Sequence, residues 1–138
     1  MSWPLVFLLS LLGLAMGIAT VFFVPSNIEP LLWLAIFLFS AYVVARNTSR
    51  LRFLHGLAIG IANSVWITAA HVILAESYLS RHAPEAAMLR SMPFADSPRV
   101  MMAVTGPVIG VISGIVIGIL CAIAGRLIRP REPVETAR

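Results

Sequence analysis

Lysine is absent from this chain and cysteine nearly so: all ten basic residues are arginine, and Cys121 stands alone. A single thiol excludes intramolecular disulfides and dithiol chemistry, and its place inside an apolar run predicts a buried, inert side chain. Charge is also scarce, at 12% of residues. The four longest apolar segments hold no Lys, Arg or Asp, and Glu76 is the only acid inside them. Missing as well are a glycine-rich nucleotide loop, a His-Glu-x-x-His pair and a nucleophile elbow, so no catalytic residue, cofactor or metal is assigned and a non-enzymatic protein is expected.

What is present is overwhelmingly apolar. Hydrophobic residues make up 59% of the 138 positions, and the mean hydropathy of +0.94 lies far outside the soluble globular range. The composition predicts an all-α integral membrane protein whose bilayer is its first partner. Spans are expected over residues 3–24, 30–45, 53–79 and 100–125. They form one domain, 1–125, an antiparallel bundle of four transmembrane helices that leaves no room for a soluble catalytic unit. The second segment covers only about 24 Å at 1.5 Å per residue, so it must borrow flanking residues or thin the bilayer locally. The first lacks a basic n-region and exceeds a usual signal-peptide core, so it is read as a mature helix.

Arginines orient the bundle. Arg46, Arg50 and Arg52 follow the second span, and Arg126, Arg129, Arg131 and Arg138 follow the fourth. Only Arg81, Arg90 and Arg99 lie in the connection between spans three and four. The positive-inside rule then places both termini in the cytoplasm of a bacterial-type inner membrane. The net charge of +4 belongs to these flanks, so no nucleic-acid partner is inferred. Trp3, Trp33, Tyr42 and Tyr78 fall near the expected interfaces, as aromatic anchors do.

The turn between Pro25 and Pro30 predicts a tight hairpin of spans one and two. Residues 80–98 form the one long connection, on the outside, with two helical turns expected over Pro84 to Met92. Met88, Leu89, Met92 and Phe94 would hold that piece against the bundle or the membrane surface. Residues 126–138 form a polar cytoplasmic tail, expected to be disordered.

Small residues sort the helices. Gly106, Gly110, Gly114 and Gly118 recur every fourth residue in the last span, a glycine zipper that lets two helix backbones approach closely in lipid. The ladder drifts by roughly 40° per repeat, which fits a crossing partner better than a parallel seam. That partner is either helix three of the same chain or helix four of a second copy. Gly13 and Gly17 in helix one, and Gly56 and Gly60 in helix three, carry similar patterns. Helix two shows none and is expected to face lipid more widely, with helices one, three and four at the centre.

Asn63, Ser64, His71 and Tyr78 share the glycine-bearing sector of helix three. Polar groups in hydrocarbon are costly unless paired, so this sector is expected to face protein or a watery cavity. Its plain role is interhelical glue, with His71 bonded to Asn63, Ser64 or another helix. Glu76 is expected to meet Arg81 or headgroup water, and His55 to sit at the interface. His82, Glu85 and Asp96 with Glu76 form a weaker external cation site. The functional expectation is a homo-oligomer or accessory subunit of a larger membrane complex, assembled through the glycine ladder. The alternatives are an oligomeric transporter or channel using the polar face of helix three, and a haem- or quinone-linked redox subunit.

Overall fold

The structure, a computed structural model, describes residues 1–93 and 96–128. Among these residues the chain is built of six helices and no strand: α1 (Trp3–Phe22), α2 (Glu29–Asn47), α3 (Arg52–Ile73), α4 (Ala75–Arg81), α5 (Ala83–Arg90) and α6 (Pro98–Leu127). Helices α1, α2, α3 and α6 are each long enough and apolar enough to cross a membrane. Proline stands in the first turn of α1, α2, α5 and α6, where its fixed φ suits a helix and its missing N–H leaves no bond unmade. The helical turns expected within the long connection are α5, and Phe94 lies outside the described residues.

Helix α2 runs for 19 residues, from Glu29 through Asn47, so the short second segment does borrow flanking residues at both ends. Two boundaries depart from the sequence expectation. Helix α6 runs unbroken from Pro98 through Pro107 to Leu127, so its last residues belong to a helix rather than to the tail. The rest of the expected tail lies outside the described residues. The third segment is not one helix to residue 79. It stops at Ile73, and Leu74, at φ −102° and ψ 27°, separates it from α4. Neither proline nor glycine marks that break.

Helices α3 and α6 form the most extensive contact, α1 packs on α3, and α2 packs chiefly on α6. An alanine-sized Cβ placed on Gly56 would lie 2.5 Å from the Gly118 nitrogen, and one on Gly60 would meet Gly114, while Gly110 faces Ser64 and Gly106 faces Thr68. The partners descend in α6 as they ascend in α3, so the two helices run in opposite directions. The glycine ladder thus packs on helix three of the same chain. Beside this seam on α3, Gly13 lies against Asn63 and Gly17 against Ile67 and Ala70.

Helix α2 is the least buried of the four long helices, as expected. Its buried residues are Ser40, Ala41, Val44 and Ala45, all in its second half. Three of these are small, and they let that half join a core of Val6, Leu9, Ile59, Ile117 and Cys121. The Leu, Phe and Trp residues of the flanking sequence hide this short patch from a compositional reading. Helix α1 meets α3 rather than α6, so within the group of α1, α3 and α6 it is α3 that stands in the middle.

Polar ties fasten the end where α2 meets α3. Arg52 donates from Nη1 to the Gly125 carbonyl at 2.7 Å and from Nε to the Thr48 carbonyl at 3.0 Å. His55 is buried, in the first turn of α3. Its Nε2 accepts the Ser2 N–H at 2.9 Å, so Nδ1 carries the ring proton and donates to the Leu51 carbonyl at 2.9 Å. Leu51 itself adopts a left-handed conformation at φ 56°, a strained state for a leucine that presents this carbonyl at the start of α3.

Candidate functional site

At the opposite end, the first half of α2 stands away from α3. A cavity of about 380 Å³ opens between α2, α3, α5 and α6, within the range of small-molecule sites. Trp33 and Phe37 of α2 form one wall, and Thr105, Gly106 and Ser113 of α6 another. Helix α5 closes the end with Glu85 and Leu89. Met88 and Ile109 also line the cavity and are exposed, so they mark its open rim.

All four candidate residues from the sequence, Asn63, Ser64, His71 and Tyr78, line this one cavity. Their bonding differs sharply. Ser64 spends its proton on the Ile61 carbonyl at 2.9 Å, one turn back on its own helix, and Thr105 and Ser113 do the same in α6. Asn63 is 3% exposed, and neither its Oδ1 nor its Nδ2 has a hydrogen-bond partner. The Oε2 of Glu85 is likewise buried and unpartnered. Buried polar atoms are nearly always satisfied, and an orphaned amide in a cavity wall is the geometry of a group awaiting a ligand or a water.

His71 does not bond to Asn63 or Ser64. Its Nε2 lies 2.9 Å from the Thr20 hydroxyl of α1, whose oxygen is also 3.2 Å from the Gly17 carbonyl. With the Thr20 proton on Gly17, Nε2 donates and Nδ1 is left as an acceptor. The His71 ring stacks on Tyr78 at 4.1 Å, and Tyr78 stacks on His82 at 4.3 Å. In a straight helix, positions seven apart are separated by about 10.5 Å of rise. The break at Leu74 is what brings the first two rings together, and the sequence could not reveal it.

Both ring nitrogens of His82 are directed at backbone carbonyls, of which a neutral ring can donate to one. Its Nδ1 faces the Tyr78 carbonyl at 3.0 Å and its Nε2 the Val24 carbonyl at 3.3 Å. Among the described residues no group of three or more His, Cys, Asp or Glu side chains converges, so the expected external site of Glu76, His82, Glu85 and Asp96 does not assemble. Glu76 pairs with Arg99 at 3.2 Å rather than with Arg81. That pair is exposed and contributes little. Arg81 instead donates to the Phe22 carbonyl at 2.8 Å and lies over the Phe22 ring.

Sequence reasoning missed Glu29, Trp33 and Phe37 as cavity residues. Trp33 Nε1 donates to Glu29 Oε1 at 3.1 Å, an i, i+4 pairing visible as spacing at the start of α2. Nothing in the spacing says that this face meets α3 across a gap.

The bond between α1 and α3 is open to measurement. A double-mutant cycle of Thr20→Val and His71→Phe in equilibrium unfolding should give a coupling of about 1 kcal/mol, in the range of interhelical hydrogen bonds in lipid. Strict additivity would show that the bond contributes nothing.

Among the described residues this fold defines an all-helical protein with four helices long and apolar enough to cross a membrane and a ligand-sized cavity beside the third. Compared with protein-family models, curated proteins and solved structures, the chain finds no match.

Proposed function

We propose that this protein is a four-span, antiparallel inner-membrane protein, cytoplasmic at both termini, that receives a small ligand in the cavity beside α3, as a transporter or ligand-binding membrane component does. The observation that carries the reading is Asn63, a buried amide in the wall of a ligand-sized cavity with neither polar atom satisfied. Hydrocarbon cannot satisfy such a group, and natural bundles keep polar residues in the membrane chiefly for pathways and sites. The arginine asymmetry supports the orientation, and it places the cavity in the outer half of the bilayer.

An assembly role has less support. The glycines of α6 are occupied by α3, so that face offers no surface to a second copy or a partner subunit. Haem ligation has less still, because His55 and His82 each turn both ring nitrogens to backbone groups, which leaves Nδ1 of His71 as the one ring nitrogen of the three histidines without a partner.

Thiol accessibility tests the reading. In a Cys121→Ala background, Thr105→Cys should react with a membrane-impermeant thiosulfonate added outside intact cells, since thiolate chemistry needs water. Val108→Cys, on the exposed apolar face of α6, should stay unlabelled. An unreactive Thr105→Cys would mean a dry, closed cavity and would sink the ligand reading.

A further inference from the structure

We propose that the cavity takes an organic cation with an apolar body, of the ammonium or phosphonium class, and that Glu29 and Glu85 hold its charge. This rests on the reading of the cavity as a ligand site and adds the chemical class. Among the described residues Glu29 and Glu85 are the only formally charged side chains lining it, and no arginine does. Among the described residues the one salt bridge is Glu76 with Arg99, so neither glutamate is neutralised by a basic side chain there. Glu29 has the indole N–H of Trp33, and Glu85 keeps Oε2 buried without a partner.

Two carboxylates at the edge of an apolar space are costly unless a positive charge offsets them. The remaining wall suits a cation that is large and soft. Trp33 and Phe37 present aromatic surface, whose ring faces attract a desolvated cation, while Tyr78, stacked between His71 and His82, offers only its edge and hydroxyl. Leu89 and Met102, both buried, give the apolar contact. An anion would meet two like charges and no compensating donor stronger than the neutral Asn63 amide. A compact hydrated metal ion would find no converging set of ligands.

The test compares two probes of nearly the same shape and opposite charge. Purified full-length protein in mild detergent is dialysed to equilibrium against tetraphenylphosphonium or tetraphenylborate. The expected result is saturable one-to-one binding of the cation, with the anion weaker by about tenfold or more. Glu85→Gln and Glu29→Gln should each weaken the cation roughly tenfold, and glutamine at 29 retains an oxygen for Trp33. Bound cation should protect Thr105→Cys from labelling. Equal binding of both probes, unaltered by the glutamine variants, would overturn the cation assignment and leave the cavity as a ligand site. Absence of saturable cation binding to a protein whose Thr105→Cys is labelled would overturn it as well. An unlabelled cavity would overturn the underlying reading instead.

Discussion

Gly60→Ala is expected to destabilise the folded protein by about 2–3 kcal/mol, the cost of forcing one extra carbon into a closed contact. The new methyl would meet the Gly114 Cα and stand 2.5 Å from the Gly114 nitrogen. Both are backbone atoms of a rigid helix, so no rotamer change relieves the overlap and α3 and α6 must separate. Separation forfeits the dispersion contacts and Cα–H hydrogen bonds that hold helices together where the hydrophobic effect gives nothing. Gly125→Ala is the internal control. Its methyl would meet the Arg52 side chain, a flexible arm able to move, at the expense of its 2.7 Å bond to the Gly125 carbonyl. That variant should lose about 1 kcal/mol or less. Denaturant titration of both in the same mixed micelles decides the matter, and equal midpoints for the two would refute a backbone-to-backbone contact at Gly60.

Asn63→Leu should act in the opposite direction on stability while removing function. Leucine matches asparagine closely in shape, so it fits against Gly13, where an added methyl would already stand 2.7 Å from the Asn63 Cα. It also removes two buried polar atoms that have no partner in the fold. Unsatisfied groups of this kind cost about 1–3 kcal/mol, so the variant should unfold later by an amount in that range. Ligand binding should fall, because a buried donor and acceptor with no partner in the fold are gone from the wall. A gain in stability with loss of binding is the pattern of a residue kept for a site. Destabilisation, with binding intact, would assign Asn63 to ordinary interhelical packing.

Much of the helical framework was legible in the residues themselves. Hydropathy located four apolar helices, and Ala83–Arg90 formed where Pro84 opens a helical turn. The small residues Gly13, Gly17, Gly56, Gly60 and the ladder in α6 were legible as contact surfaces. Their partners were not, since a ladder that drifts around its helix is compatible with more than one crossing neighbour. The four polar residues of α3 were legible as one group. Their cavity was not, because its other wall comes from Glu29, Trp33 and Glu85, whose local sequence carries no sign of what stands opposite.

Sequence by itself determined which segments are helical, which are apolar enough for a membrane and which faces tolerate close approach. These are local properties, set by side-chain transfer energies and by the spacing of small residues along one helix. Tertiary structure alone decided that α6 spends its glycines on α3, that a one-residue break at Leu74 stacks His71 on Tyr78, and that α2 docks by Ser40, Ala41 and Ala45 while its first half stands off. The cavity is the space left by that uneven docking. A gap belongs to the distance between helices, and no single helix encodes it.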